Sequence, residues 1–183
     1  MRQTAFWRRL DVPGYDACRL SQLPGGWRLD GATVFRHEQG PARINYVVEC
    51  DANWRSRIGE IRGVIGDQDW DLRIERSPVG QWTLNGETVK DVDGCLDLDL
   101  GFTPSTNLLQ LRRVRLDVGA QADVPVAWID LPGATLQLLP QRYERRSANS
   151  YWYESPAAGY AEMLELAASG FARLYPRGWR LED

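Results

Sequence analysis

Asp97 and Asp99 stand two residues apart in Gly94-Cys-Leu-Asp-Leu-Asp-Leu-Gly101. On a strand they share one face, about 7 Å apart from the rise per residue. Two carboxylates at such a distance act as acid and base in glycoside hydrolysis. They can equally hydrogen-bond sugar hydroxyls, bind a cation or pair with arginines such as Arg112. Alternation creates a shared face automatically, so the catalytic reading is the minority one. A second candidate is Asp51-Ala-Asn-Trp-Arg-Ser-Arg57, where Trp54, Ser56 and Ile58 share one face and Arg55 and Arg57 the other. Tyr151 and Tyr153 share a face in Tyr151-Trp-Tyr-Glu-Ser155. Aromatic platforms beside arginine and carboxylate suit carbohydrate or amphiphile contact. Eight tryptophans and seven tyrosines would also serve simply to fill the core of a large sheet.

Other chemistries lack their residues. His37 is the only histidine and has no evident partner, so no serine or cysteine triad and no His-based zinc site is expected. Gly59, Gly63 and Gly66 fit neither the P-loop nor the dinucleotide spacing. The expectation is therefore no catalytic residue, no metal and no cofactor. Cys18, Cys50 and Cys95 are odd in number and widely spaced, each in an apparent strand, as buried thiols of a cytoplasmic protein would be. The N-terminus lacks the pattern of a secretory signal, and no run approaches the ~20 apolar residues of a membrane span. Net charge is −3, which argues against nucleic acid despite arginine clusters at Arg112-Arg113-Arg115 and Arg142-Arg145-Arg146. Lys90 is the single lysine among 22 basic residues. Arginine suits bidentate recognition, but codon bias would leave the same mark.

The elements that must position these residues read as strands. With 183 residues, the chain fits one domain over 1–183. Asp30-Gly31, Asn85-Gly86 and Asp93-Gly94 each suit a type I′ hairpin between alternating runs. Pro13-Gly14, Pro24-Gly25-Gly26, Gly40-Pro41 and Pro132-Gly133 add breaks. Alternation is clear in Arg113 to Val118 and Cys95 to Leu100, and weaker in Arg43 to Asp51 and Ala134 to Tyr143. This predicts an all-β antiparallel meander of more than ten half-buried strands with little helix. Residues 159–168 have helical propensity but also alternate, and the turn at Ser169-Gly170 favours a hairpin. Trp27 to Val34 resembles Trp82 to Val89, with a looser copy at Trp128 to Leu136; Pro176-Arg-Gly-Trp-Arg-Leu echoes Pro24-Gly-Gly-Trp-Arg-Leu. Duplication or shared hairpin chemistry would each generate this.

Taken together, these segments resemble the glycolipid-binding family of bacterial proteins, long carried as a domain of unknown function. The matching residues are Trp7-Arg-Arg-Leu-Asp11, Cys18-Arg-Leu, Trp27, Asn45-Tyr46-Val-Val, Asp51 with Trp54 and Arg57, Gly94 to Asn107, Gln141-Arg-Tyr143, Tyr151 to Ser155 and Tyr175-Pro176. After Asn107 this chain reads Leu-Leu-Gln-Leu-Arg-Arg where the family pattern has Thr-Leu-Pro-Ile-Arg-Arg, which leaves the expected turn there undetermined. The resemblance implies a long sheet coiled into a spiral β-roll or barrel-like form, and a non-enzymatic, lipid-handling role. Its implied ligand-facing set is Trp54, Arg57, Asp97, Asp99, Asn107, Arg112, Tyr143 and Tyr153.

The leading expectation is a cytoplasmic protein that binds a lipid or glycolipid in a cavity or groove of a curled sheet, without integral membrane association. Two alternatives stand: a carboxylate-dependent enzyme acting on a sugar or lipid head group, and a protein-interaction domain using a sheet edge or aromatic patch. Oligomeric state is left open.

Overall fold

The computed structural model describes residues 2–131 and 133–182. Its strands are β1 (Arg2–Arg9), β2 (Gly14–Leu23), β3 (Gly26–His37), β4 (Gly40–Asp51), β5 (Ser56–Ile65), β6 (Gln68–Arg76), β7 (Trp82–Leu84), β8 (Glu87–Val89) and β9 (Asp97–Leu100). After helix α1 (Asn107–Val114) come β10 (Gln121–Asp123), β11 (Val126–Ile129), β12 (Gln137–Leu139), β13 (Arg142–Arg145), β14 (Ser150–Ser155), β15 (Tyr160–Leu166), β16 (Ala172–Tyr175) and β17 (Trp179–Leu181). Fourteen of them form one antiparallel sheet in the order β10-β13-β14-β15-β16-β17-β1-β2-β3-β4-β5-β6-β7-β8. The pairing of β17 with β1 joins the two ends of the chain in mid-sheet.

Period-two alternation drives the long strands. In β4, Ala42, Ile44, Tyr46, Val48 and Cys50 are buried while the residues between them face outward. The outer face is laced by cross-strand ion pairs, Arg19 with Asp30, Arg28 with Glu49 and Arg73 with Glu60. Each such exposed pair contributes little to stability.

The sheet curls around a plug made by its own chain. Tyr46 on β4 meets Thr103, and Tyr143 on β13 meets Asn107. These two strands are eight positions apart in the sheet, about 38 Å if it were flat. Thr103 and Asn107 are four residues apart and so separated by no more than ~14 Å. Only a rolled sheet brings both walls to one segment. The plug is a second, three-stranded sheet, β12-β11-β9, together with α1. Within it β9 and β11 are parallel, joined by the crossover through α1 that parallel pairing requires.

Several sequence expectations are corrected here. Asp30-Gly31 lies inside the unbroken strand β3, because a side chain at Gly31 would collide with the Tyr46 ring. Asn85-Gly86 does form the two-residue turn, with φ of 50° and 86°. Asp93, at φ −57°, follows a 3-10 turn instead of opening a type I′ hairpin. Arg113 to Val118 is no strand: its first two residues end α1, and Arg115 closes the helix in the left-handed conformation. Cys95 precedes β9 rather than lying in it. β9 is buried on both faces, not half-buried, because its parallel pair with β11 lies inside the curled sheet. Ala134 to Tyr143 divides into β12 and the start of β13. The Trp27 and Trp82 segments are not equivalent, one a straight strand and the other a hairpin. The Pro24 and Pro176 echoes do share a turn, with Gly25 and Arg177 both at positive φ. Residues 159–168 carry β15, paired antiparallel with β14 and β16. Pro132 lies outside the described residues.

The helix forms where leucine, glutamine and arginine favour it, with Leu108, Leu109 and Leu111 buried and Arg112 and Arg113 complementing the C-terminal dipole. Gln110, at the place of proline in the family pattern, is fully buried, and neither polar atom of its amide has a partner. Replacing an unsatisfied buried amide by an apolar side chain removes its desolvation cost. Gln110→Leu is therefore expected to raise stability by about 1–2 kcal/mol, measured by urea unfolding; a loss of stability would show that the amide is satisfied.

Candidate functional site

Two aspartates on one short strand have separate fates. Asp97 is fully buried and accepts three contacts from Arg113, Nε to both carboxylate oxygens at 3.0 Å and Nη2 to Oδ2 at 2.7 Å. Burial raises its pKa, and Arg113 opposes that shift. Asp99 has no arginine. Its Oδ1 accepts from the Thr106 hydroxyl at 2.6 Å and its Oδ2 from the Gln141 amide. Burial raises the Asp99 pKa against those hydrogen bonds, and the charge of Asp97 adds to the rise. Thr106 sits at the N-cap of α1, but its hydroxyl serves Asp99 instead of the helix.

A chain of donors runs on from Asp99. Asn107 donates to the Tyr143 hydroxyl at 2.8 Å, which donates to Gln141 Oε1 at 3.2 Å, and Gln141 donates to Asp99. Tyr153 stacks on Tyr143, with centroids 4.8 Å apart. Asp99, Asn107 and Tyr153 open into a pocket of about 230 Å³ that also receives Asp130, Trp128, Tyr160 and Tyr175. Gly101 makes room for two of these walls: an added Cβ would lie 2.7 Å from Asp130 Cγ and 2.8 Å from Trp128 Nε1. Burial raises the pKa of Asp130, offset by the Leu131 amide and by Arg9. Carboxylate acceptors, one amide and several aromatic faces form a lining suited to a hydroxylated ring: oxygens accept from hydroxyls, and aromatics cover its C–H faces.

The remaining predicted residues lie elsewhere. Trp54 is buried, stacks on Trp27 at 4.4 Å between centroids and has Arg112 over its ring at 5.8 Å. Its left-handed backbone, φ 66°, places it in the turn before β5, not on a strand face. Arg57 is exposed on the outer face. Tyr143 is wholly buried behind the pocket. Sequence reasoning passed over Asp130, Trp128 and Tyr160, and held Thr106 only as part of the matched Gly94 to Asn107 stretch. Gln141 and Tyr175 stood within matched motifs, which was the only signal available for them.

A larger concavity, about 840 Å³, lies on the outer face, floored by Ala17 and Ala32 beside the stacked Phe6–Tyr15 pair. Among the described residues, no group of three His, Cys, Asp or Glu is placed to hold a metal, and no helix is long and apolar enough to cross a membrane.

The pocket loop is held from below by a buried acid. Asp16 is fully buried, accepts from the Tyr46 hydroxyl at 2.8 Å, and has one oxygen without a partner. Tyr46 in turn meets Thr103 at 3.1 Å. Burial pushes the Asp16 carboxyl from 3.8 up to about 7, against hydrogen bonds from Tyr46 and Thr103. The folded chain thus keeps a proton that the unfolded chain has released, and this stabilisation is lost as pH rises from about 4 to 7. Asp16→Asn is expected to gain stability relative to the parent across that window, by up to about 4 kcal/mol at pH 8. Denaturant unfolding at pH 4 and pH 8 checks it, and a pH-independent difference would refute it.

Comparison with known proteins bears on the family and the fold. A family model described as "Putative glycolipid-binding" matches residues 4–180. The fold is similar to the crystal structure of a DUF1089 family protein from Pseudomonas aeruginosa, with a TM-score of 0.74, 25% identity and 89% of each chain covered. No curated protein matches the chain. A match over nearly the whole length decides the assignment: the chain belongs to the family described as putative glycolipid-binding.

Proposed function

We propose that this protein binds a lipid or glycolipid without altering it, and that the sugar or other hydroxylated head group enters the pocket beside Asp99. One observation carries the reading: Asp99, Asn107 and Tyr153 open into the same small pocket as Asp130 and Trp128, in a chain whose family is described by glycolipid binding. At about 230 Å³ the pocket falls below the ~300–1,000 Å³ of sites that engulf a drug-sized ligand, so it accommodates a head group and leaves an acyl chain outside. The plug occupies the interior in which a hollow roll would have enclosed that chain. A carboxylate enzyme built on Asp97 and Asp99 is disfavoured, because Arg113 closes off Asp97. The outer groove supplies a second reading, favoured by its size, by the exposed Phe6 that lines it and by the exposed Tyr15 and Val34 beside Phe6: an apolar chain or a partner protein would lie there.

Octyl glucoside below its micelle concentration distinguishes the two sites by calorimetric titration. Asp130→Asn is expected to weaken binding about tenfold, the effect of one charge-assisted hydrogen bond, while Ala32→Trp, which fills the outer groove, leaves it unchanged. Loss of binding in Ala32→Trp alone would move the ligand to the outer face. Absence of binding, with no amphiphile retained in native mass spectrometry after gentle purification, would overturn the proposal.

A further inference from the structure

A second polar cavity, of about 450 Å³, lies beside the C-terminal half of α1, bordered by Arg112, Arg145, Tyr151 and the turn at Ala167 to Gly170. Arg19, Arg28, Arg62 and Arg73 of the outer sheet each face a carboxylate; the two arginines of this cavity are held differently. Arg112 donates from Nη2 to the Ser169 carbonyl at 2.7 Å and lies over Trp54. Arg145 donates to three carbonyls, Ser147 at 3.1 Å, Leu116 at 2.8 Å and Ala148 at 3.0 Å, and lies over Tyr151 at 5.7 Å. Among the described residues, neither has a carboxylate within ion-pair distance.

Carbonyls and ring faces fix the two guanidinium groups without cancelling their charge. Of five N–H donors on each, Arg112 commits one and Arg145 three, which leaves six between them. Gly170, at φ 89°, lets Arg112 lie against the backbone: an added Cβ would sit 3.2 Å from Nη2. Two preorganised, uncompensated cations in one concavity, on a chain of net charge −3, form a receptor for an oxyanion.

We infer that this cavity binds a phosphate group, held by Arg112 and Arg145. The inference does not depend on the Asp99 pocket, which is lined by other residues. Inorganic phosphate, titrated at low ionic strength into ¹⁵N-labelled protein against a matched chloride series, tests it. Saturable shifts are expected at the Gly170 amide and at two arginine Nε–Hε signals. Arg112→Gln should abolish one of those signals and weaken binding about tenfold or more, while Arg19→Gln has no effect. Shifts that fail to saturate, match those from chloride or spread over the outer-face arginines would overturn the proposal. The parent titration decides this even if Arg112→Gln fails to fold. Glucose 6-phosphate and a short-chain phosphatidylglycerol below its micelle concentration then separate the sources. Tighter binding of the lipid assigns a phospholipid head group, tighter binding of the sugar phosphate a soluble ligand, and equal binding of all three the bare phosphate group.

Discussion

Burying a carboxylate costs several kcal/mol unless partners meet it, and removing one partner of a buried pair typically costs 3–5 kcal/mol. Much of this protein is arranged around that constraint on β9. Asp97 can occupy the interior because Arg113, in the last turn of α1, returns to it with both Nε and Nη2. Asp99 can do so because Thr106 and Gln141 donate to it. Strand, loop and helix from Asp97 to Arg113 are thereby tied into one unit, which Gln141 joins to the start of β13.

The walls then close on that unit through hydrogen bonds of the same kind. Ser56 on β5 accepts from the Leu98 amide at 3.0 Å, Tyr46 reaches Thr103, and Tyr143 receives Asn107. Gly59 leaves the space that Leu98 fills. A sheet of fourteen strands has no intrinsic reason to stop curling at one radius; here the plug sets it. The same arrangement explains why the concavities lie at the margins of the plug and on the outer face, and why the polar side chains that hold the plug also line the pocket.

Much of this was legible in the sequence. Alternation in β4, the Asn85-Gly86 turn and the hairpin after residue 159 follow from period-two patterning and positive-φ chemistry alone. What failed was local inference about residues whose surroundings come from distant chain. Asp30-Gly31 has the composition of a turn, but the Tyr46 ring fills the space above Gly31 and makes the glycine a packing requirement. Arg113 to Val118 alternates like a strand, yet Asp97 claims Arg113 for the helix. Asp97 and Asp99 were recognisable as a pair on one face. That one would be neutralised by arginine and the other left at a pocket depended on α1 and Gln141, which no spacing around them encodes. The resemblance supplied residues from both groups without separating them.

Amide hydrogen exchange tests the central claim most directly, because it distinguishes a plug that is part of the core from a lid over a hollow roll. If the plug sets the curvature of the sheet, the amides of Leu98, Leu100 and α1 exchange only with global unfolding, at the same free energy as those of β4 and β5. Exchange of Leu98, Leu100 and α1 through a cheaper local opening, while β4 and β5 stay protected, would contradict the account.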